Sequence, residues 1–335
     1  MSSDQISVVN SPPIPELRFR HFRGSDDYHH WASVLTSSER ADKNERQVTS
    51  KNIASAIQHL KNCDPYQDMI FAEIGYEVVG YTRGWWWDEP STGRFYGISG
   101  FLVPEWRHSG IGRAMHLWME QRMRMVAANH PPEIKKIFQA DATNFQDGKA
   151  QLLESVGYLP KRYFFTMLRP TLDEIPDWPL PEGIEVKPAS PEHYRAIWKC
   201  VDETSQDEWG FTKVTEEDYQ AWLDDPHFQP DLWQIAWDTA SGQVAGQVLT
   251  FIDHEENRQF GRKRGYTEGI GVAKAWRRRG LARALIARSL QAQKTAGMIE
   301  SALVADSENK SGATRLYESC GFQVVSTSTI YRKSL

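Results

Sequence analysis

The chain has 335 residues, of which 40% are hydrophobic and 25% are charged, and its formal net charge is −5. This composition excludes a collagen-like or largely disordered chain, and the length favours two domains over one. The net charge argues against a general nucleic-acid binder. No apolar run reaches the roughly 18 residues of a membrane span, residues 1–13 lack the apolar core of a signal peptide, and the three cysteines are scattered. We therefore expect a reduced, cytoplasmic protein without a membrane partner.

The predicted elements occur in the same order twice. Each copy opens with a short strand, at residues 17–19 or 184–186, followed by a helical region that begins near Ser25 or Ser190. Strands with many β-branched and aromatic residues come next. They span residues 69–74, 78–87 and 95–103 in the first copy and residues 232–237, 243–253 and 266–272 in the second. A loop, a helix, one more strand, a short helix and a last strand complete each copy, which indicates an α/β unit around a mainly antiparallel sheet.

A repeated motif indicates that the two halves are copies of one domain. Residues 106–114 and 276–284 both read Trp-Arg-x-x-Gly-x-small-Arg-Ala. Further on, residues 152–158 match residues 316–322 in the same order and at a similar separation. A repeat this long indicates tandem domains rather than a solenoid, whose repeats have about 20–50 residues.

The domain boundary is predicted from a cluster of prolines. Residues 170–183 contain Pro170, Pro176, Pro179 and Pro181, and proline lacks the hydrogen-bond donor that helices and strands need. The predicted organisation is a flexible tail at residues 1–14, a first domain at 15–169, a linker at 170–183 and a second domain at 184–335.

The repeated loop has the chemistry of an anion site. A glycine-rich turn from a strand into a helix presents unpaired backbone N–H groups at the positive end of the helix dipole, which suits phosphate. Gly110 and Gly280 allow the backbone to approach a ligand closely, and Gly112 and Ala282 keep the second position small. From these residues alone, a plain tight turn with solvated arginines is an equal alternative. No Walker signature and no complete dinucleotide fingerprint is present.

The two motifs together resemble a known superfamily. Arg-x-x-Gly-x-Gly/Ala after a strand is similar to the acetyl-CoA pyrophosphate loop of the GNAT (N-acetyltransferase) superfamily. The later residues Asn309 and Tyr317-Glu318-x-x-Gly321-Phe322 are similar to a second motif of that superfamily. The tandem layout resembles mycothiol-synthase-like double-GNAT proteins. The resemblance implies an α/β (α+β) fold of two tandem GNAT-like domains, each a mixed, mainly antiparallel sheet flanked by helices.

The resemblance also implies acetyl-CoA as co-substrate and assigns candidate contacts to it. In the second copy these are Ile270, Val272, Arg277, Arg278, Arg279, Gly280, Leu281, Ala282, Arg283 and Asn309. In the first copy they are Arg107, His108, Ser109, Gly110, Ile111, Gly112 and Arg113. Tyr317 is the implied acid for the leaving thiolate, and no metal site is expected.

The second copy is predicted to be the catalytic one. Aligning Gly157 with Gly321 places Leu153 opposite Tyr317 and Phe145 opposite Asn309. Leucine cannot donate a proton, so the first copy is expected to be a degenerate half that binds cofactor or is purely structural.

The general base is predicted to be Glu268. It lies two and four residues before Ile270 and Val272, so the three side chains are expected to share one face of a strand. An exposed strand glutamate without a role is equally compatible, and Glu255 and Glu256, placed on a loop, are the alternative bases.

The expected activity is acetyl transfer from acetyl-CoA to a primary amine of a small molecule. Acidic residues are frequent over residues 202–231. They form either a solvated helix surface or a lip that attracts a cationic acceptor. Two alternatives remain open: a protein Lys or N-terminal acetyltransferase, and a non-catalytic acetyl-CoA-binding regulatory module.

Overall fold

A computed structural model describes residues 5–44, 48–58, 60–89, 92–309 and 312–335. The chain divides into two compact units: unit 1 comprises Met1–Arg162 and Ser328–Leu335, and unit 2 comprises Tyr163–Thr327. Helices flank a mixed, mainly antiparallel sheet in each unit. The predicted fold class is therefore confirmed.

Unit 1 contains a sheet in which all neighbours but one are antiparallel. Its strands are β1 (Gln5–Ile6), β2 (Leu17–His21), β3 (Met69–Ile74), β4 (Glu77–Glu89), β5 (Gly93–Leu102) and β6 (Lys136–Thr143). They lie side by side in chain order, and only β5 and β6 are parallel. Residues 328–334, the end of β14 (Gln323–Ser334), pair antiparallel with β6.

The helices of unit 1 cover the sheet through apolar faces. They are α1 (Tyr28–Ala41), α2 (Ser50–Gln58), α3 (Pro65–Asp68), α4 (Ile111–Ala128) and α5 (Asp147–Ser155). On α4, Ile111, Ala114 and Met115 are buried and Trp118 is half-buried, as expected for residues spaced along one face of a helix. Gly84 of β4 lets α4 approach closely, because a Cβ there would lie 2.7 Å from Met119 Sδ.

Unit 2 repeats this plan with shorter strands. Its strands are β7 (Leu159–Arg169, from residue 163), β8 (Ile184–Lys187), β9 (Gln234–Asp238), β10 (Val244–Val248), β11 (Arg264–Tyr266), β12 (Gly271–Val272) and β13 (Glu300–Asp306). Its helices are α6 (Tyr194–Ser205), α7 (Glu216–Leu223), α8 (His254–Phe260), α9 (Leu281–Thr295) and α10 (Ala313–Ser319). Strands β8, β9, β10 and β12 form one antiparallel sheet. Strand β13 pairs with β7 antiparallel and with β11 parallel.

The structural boundary differs from the proline-based one. Residues 164–169 of β7 pair with β13 in unit 2, and the end of β14 pairs with β6 in unit 1. The last strand of the first copy, β7, thus lies mostly in unit 2. The end of the last strand of the second copy, β14, lies in unit 1. The segment 170–183 has no helix or strand, but Leu172 is buried in the core of unit 2. Strand partners are set by long-range backbone pairing, which a repeat pattern does not encode.

Residues 5–14 are not a flexible tail. Strand β1 pairs with β2, and Val8 is buried against Ile70 and Ile111 in a core cluster of unit 1. The remainder of the predicted tail, residues 1–4, lies outside the described residues. The apolar Ile6, Val8 and Ile14 gave the sequence signal for this packing.

Two predicted strands of unit 2 are interrupted. The strand expected at residues 243–253 ends at Val248, and α8 begins after Asp253, whose side chain accepts from Glu256 N and caps the helix. The strand expected at residues 266–272 stops at Tyr266 and resumes at Gly271.

Candidate active site

The two units have the same loop conformation before α4 and α9. Gly110 and Gly280 cap these helices with left-handed φ angles of 90° and 86°. Two residues earlier, His108 and Arg278 are also left-handed, with φ angles of 60° and 62°. This conformation is uncommon for residues with a side chain, so its presence in both copies identifies a built feature rather than a generic turn.

The loops present unpaired backbone donors. The first hydrogen bonds of the two helices run from Ala114 N to Gly110 O and from Ala284 N to Gly280 O. The amides of residues 111–113 and 281–283 therefore have no carbonyl partner within their helices. They lie at the positive end of the helix dipole, where phosphate groups bind.

Arg107 and Arg277, predicted to contact the cofactor, bind protein groups. The Arg107 guanidinium lies 2.5 Å from Asp42 Oδ1, just after α1. Arg277 donates to Val272 O at 3.0 Å and to Asp207 Oδ2 at 2.9 Å, just after α6. Each arginine ties its loop to the first helical region of its unit, which fits a loop-positioning role better than the predicted cofactor contact.

The other predicted loop residues of unit 2 divide into exposed and buried ones. Arg278, Arg279 and Arg283 are exposed, and the Arg279 guanidinium lies 4.8 Å from the ring centroid of Trp276. Leu281 is buried in the core and Ala282 is half-buried.

Strand β11 separates from β13 at Thr267. Thr267 N donates to Ala302 O at 2.9 Å, whereas the carbonyl of the next residue, Glu268, accepts from Leu249 N at 2.8 Å. The chain then turns at Gly269, with φ of 57°, and joins β10 as β12. Beyond Ala302, this edge of β13 therefore no longer pairs with the chain that forms β11, and we call this gap the strand opening.

Ile270 and Val272 lie on the far side of this turn. Both are half-buried, and Val272 pairs with Gly246. The turn at Gly269 interrupts the alternation of side chains along the strand. Alternation therefore no longer places Glu268 on the same face as Ile270 and Val272.

Glu268 nevertheless lies in the strand opening. Its Oε1 accepts from Val304 N at 3.0 Å, and the Val304 side chain is 55% exposed. Burial raises the pKa of the Glu268 carboxyl to about 7, and the charge of Glu208 adds to the rise, while the bond from Val304 opposes it. A carboxyl that titrates near neutrality suits general-base chemistry.

Tyr317 on α10 belongs to the same group of side chains. Its ring is buried, and burial together with the charges of Glu268 and Glu208 raises the pKa of the phenol. The phenol therefore keeps its proton at neutral pH and remains a donor. The structure thus brings the predicted acid and the predicted base within electrostatic reach of each other.

Asn309 is half-buried in the turn after β13. Its backbone N donates to Asp306 O, and its carbonyl accepts from Gly312 N. Gly312, not Asn309, is the N-cap of α10. Residues 310 and 311 lie outside the described residues, and the cofactor contact of Asn309 remains a prediction.

Unit 1 contains a cavity of about 440 Å³ beside the matching loop. Its lining includes the predicted residues Arg107, His108, Gly110, Gly112 and Arg113. The other two predicted residues are Ile111, which is buried, and Ser109, whose hydroxyl donates to Trp106 O. A volume of this size is typical of small-molecule sites.

The cavity of unit 1 lacks counterparts of the predicted acid and base. Leu153, opposite Tyr317 in the repeat, lines the cavity and is 1% exposed. In unit 1 the parallel pairing of β5 with β6 ends at Gly97, and in unit 2 that of β11 with β13 ends at Tyr266. The second residue beyond each is Ser99 in unit 1 and Glu268 in unit 2. Serine replaces the carboxylate, so unit 1 has no general base at this position.

The alternative bases are bound by other side chains. Glu255 and Glu256 lie on α8, not on the loop that the sequence predicted. Glu256 accepts from Tyr266 Oη at 2.9 Å and pairs with Arg262, and Glu255 pairs with Arg258. These partners favour Glu268 as the base.

Sequence reasoning missed two groups around the site. Glu208 was counted only among the acidic residues of the lip, yet its charge acts on both Glu268 and Tyr317. Asp42 and Asp207 were not recognised as partners of the loop arginines. Their signal was present in the repeat, because each follows the first helical region of its copy.

These features agree with a family match. Residues 194–322 match the profile of the acetyltransferase (GNAT) family. This match lies within unit 2, which is therefore similar to this family, and together with the relatives below it supports an acyltransferase. More particularly, its curated relatives include mycothiol acetyltransferases, and its structural neighbours include tandem GNAT proteins.

The relatives cover most of the chain. The mycothiol acetyltransferase of Thermobifida fusca is 26% identical over 249 residues, which is 69% of this chain and 72% of the relative. That of Salinispora arenicola is 27% identical over 252 residues, 73% of this chain and 75% of the relative.

Solved structures show the same fold. A GCN5-related N-acetyltransferase from Sphaerobacter thermophilus is 24% identical, with a TM-score of 0.76 over 97% of each chain. A tandem GNAT protein from the clavulanic acid biosynthesis pathway is 15% identical, with a TM-score of 0.65 over 95% of this chain and 98% of that one. Among the described residues, no helix is long and apolar enough to cross a membrane, and no cluster of three His, Cys, Asp or Glu side chains is arranged to hold a metal ion.

Proposed function

We propose that unit 2 transfers the acetyl group of acetyl-CoA to a primary amine of a small molecule. The observation that carries this proposal is the placement of Glu268 and Tyr317 at the strand opening, next to the loop that caps α9. GNAT acetyltransferases use acetyl-CoA as donor, and the relatives named above are mycothiol acetyltransferases.

The residues of unit 2 fit a thioester with a phosphorylated tail. The free amides of residues 281–283 would hold the pyrophosphate, with Arg278, Arg279 and Arg283 around it. Gly280 is left-handed and has no side chain, which leaves room for a ligand to reach the backbone. A Cβ at this position would lie 3.2 Å from Arg283 Nε. The backbone of Ile270 and Val272 would flank the pantetheine arm, as the family resemblance implies.

The proposed chemistry needs one base and one acid. Glu268 takes a proton from the acceptor ammonium, and the amine nitrogen forms a bond to the thioester carbonyl carbon. The carbon–sulfur bond then breaks and Tyr317 donates its proton to the thiolate, while the nitrogen gives up its second proton, which returns to the Tyr317 oxygen and leaves a neutral amide. Alignment of the two bound substrates is the main source of acceleration, because it replaces a bimolecular encounter.

The acceptor is proposed to be a cationic small molecule. Glu208 lies close enough to Glu268 to raise its pKa, and both groups are carboxylates. An ammonium group between two carboxylates would be held and also deprotonated by one of them. Further acidic residues of the lip, such as Asp202, Glu203 and Glu217, extend this field.

Unit 1 is proposed to keep the cofactor loop without turnover. Its loop has the same left-handed residues and an adjoining cavity. Leu153 and Ser99 stand in place of the acid and the base. In unit 2 both groups are present, which favours an enzyme over a purely regulatory module.

A panel of small amines assayed for release of free CoA tests the proposal. Gly280→Asp places a carboxylate on the anion loop of unit 2, and aspartate tolerates the left-handed conformation, so we expect loss of turnover in a folded protein. Gly110→Asp, the matched change in unit 1, should leave kcat unchanged. The opposite pattern would make unit 1 the catalytic half, and an unchanged turnover in both variants would refute the loop of unit 2 as the cofactor site of the reaction.

A further inference from the structure

Unit 2 contains a polar network in the middle of its core. Five side chains form it, all with 0% exposure: Thr250, Thr267, Ser289, Gln293 and Ser301. Ser289 and Gln293 lie on α9, Ser301 lies on β13, and the two threonines follow β10 and β11. The network therefore joins the helix that starts at the cofactor loop to the strands at the opening.

The hydrogen bonds converge on Thr267. Gln293 Nε2 donates to Thr267 Oγ1 at 2.8 Å and to Ser289 Oγ at 3.1 Å. Thr267 Oγ1 lies 2.9 Å from Ser301 Oγ, and Thr250 Oγ1 lies 2.6 Å from Ser289 Oγ. Gly265 makes room for the glutamine, because a Cβ there would lie 2.3 Å from Gln293 Oε1.

The fold does not require this polarity. The helix positions of Ser289 and Gln293 are occupied in unit 1 by Met119 and Met123, counted from the shared loop. The first residue beyond the parallel pairing is Thr267 in unit 2 and Ile98 in unit 1. Ile98, Met119 and Met123 form an apolar core cluster of unit 1. The same helix–sheet layer is thus stable without hydrogen-bonding side chains.

The network also carries an unfavourable term. Gln293 Oε1 is buried and has no hydrogen-bond partner among the described residues. A buried acceptor without a partner is destabilising, because it has given up its hydrogen bonds to water without a replacement. A polar layer with such a cost, in the one unit that holds the catalytic pair, points to a role other than stability.

Thr267 stands where the backbone changes partners. Its N–H is the last to bond to β13, and the carbonyl of Glu268 already bonds to Leu249. Successive residues of an extended chain face opposite sides, so the bonds that hold Thr267 on the core side direct Glu268 into the opening. There the Glu268 carboxylate accepts from Val304 N.

We infer that Thr267 and Gln293 are positioning residues that fix the Glu268 carboxylate in the strand opening through the buried network. This inference rests on the proposed function, in which Glu268 is the base. The titratable groups that act on Glu268 are Glu208, after α6, and Tyr317, on α10, and neither is part of the network.

The test compares Thr267→Val, which removes only the hydroxyl, with Thr267→Ser, which keeps it. We expect Thr267→Val to lower kcat by about 10- to 100-fold, the effect of a small misplacement, and to move the acidic limb of the kcat/KM profile to lower pH. The limb should move because a Glu268 carboxylate that is held less firmly becomes more exposed to solvent, which lowers its pKa. KM for acetyl-CoA should stay within about twofold of the wild-type value. Thr267→Ser, which keeps the hydroxyl, should retain the wild-type kcat and the wild-type acidic limb.

Two further variants keep the inference falsifiable. Gln293→Met installs the residue of unit 1 and should act like Thr267→Val, even if the valine variant fails to fold. Met123→Gln, its mirror image in unit 1, should not change the limb. A lower melting temperature with an unchanged profile in either unit 2 variant would reduce the network to a structural one.

Glu268→Gln separates failure of this inference from failure of the proposed function. If Glu268→Gln leaves the acidic limb in place, Glu268 is not the base and the proposed function fails in that part. If Glu268→Gln abolishes the limb while Thr267→Val and Gln293→Met leave it unchanged, only the positioning inference fails.

Discussion

Unit 1 and unit 2 share a loop but differ in the groups that face it. Left-handed Gly110 and Gly280 cap the helices in the same way, and a strand opens beside each loop. The acid position is Leu153 in one unit and Tyr317 in the other. The comparison teaches that the loop conformation is a property of the backbone that both copies keep, whereas the proposed acid and base are side chains that one copy lacks.

The loop helices also bury their polar groups on different faces. On α4, Glu120 is buried and accepts from Lys333 Nζ at 2.8 and 2.9 Å; burial opposes its charge, but His116 and Lys333 together lower the pKa of its carboxyl to about 2. His116, next to it, lines the cavity of unit 1, and burial lowers the pKa of its imidazole. On α9 the buried polar residues are Ser289 and Gln293, and Gln293 donates to Thr267, the residue before the proposed base. The buried polar groups of α9 thus form the proposed positioning network, whereas those of α4 bind Lys333 and line the cavity of unit 1.

The first and largest expected effect concerns the acid. Tyr317→Phe removes only the phenolic proton, so kcat should fall by about 10²–10⁴-fold, the usual range for acid–base groups. Leu153→Met, a change of similar volume at the matched position, should leave kcat unchanged. A full rate in folded Tyr317→Phe would remove the distinction between the two units.

The second expected effect concerns the base. Because the pKa of Glu268 is raised to about 7, kcat/KM of the wild type should increase with pH up to about 7 and then level off. Glu268→Gln should lower kcat/KM by about 10²-fold at neutral pH and abolish this limb. An unchanged profile would transfer the role of base to another group or to water.

Stability gives an independent check on Glu268. A raised pKa means that the folded state favours the protonated carboxyl, so this stabilisation is present at pH 4 and is lost as the pH rises through about 7. Glu268→Gln should therefore raise the melting temperature relative to wild type at pH 8 but not at pH 4. An equal shift at both pH values would show that the carboxyl is not perturbed.

The third expected effect concerns the loop arginines. Asp42 is buried and holds Arg107, whereas Asp207 is exposed where it holds Arg277. In urea unfolding, Asp42→Asn should cost about 1.5–3 kcal/mol, the range for a hydrogen bond to a charged group. Asp207→Asn should cost much less, since solvent already screens that pair. Equal losses would mean that the two loops are held equally firmly.

The smallest expected effect concerns the acidic lip of unit 2. Exposed charges attract a cationic acceptor over a distance of about 8 Å at physiological ionic strength, and added salt shortens this range. KM for the acceptor should therefore increase with salt, while KM for a neutral amine measured alongside should not. A salt-independent KM would remove the attraction of a cationic acceptor by this lip.

The sequence predicted those parts of the molecule that local patterns encode. The repeated Trp-Arg-x-x-Gly loop predicted two copies of one fold, and the apolar face of α4 is buried as its periodicity indicates. It did not predict α8, although Asp253 is a regular helix cap. A run of β-branched residues before it masked the helix signal, because periodicity is ambiguous in short segments.

Tertiary structure alone decided which groups meet. The sequence determined the tandem α/β fold, the two loops and the contrast between Leu153 and Tyr317, because glycine positions and side-chain chemistry are read residue by residue. It did not determine that β7 and β14 end in the other unit, that Gly269 breaks the strand beside Glu268, or that Arg107 and Arg277 bind aspartates. Those outcomes depend on backbone pairing and ion pairing between residues far apart in the chain, and such contacts are selected by the folded arrangement rather than by any local pattern.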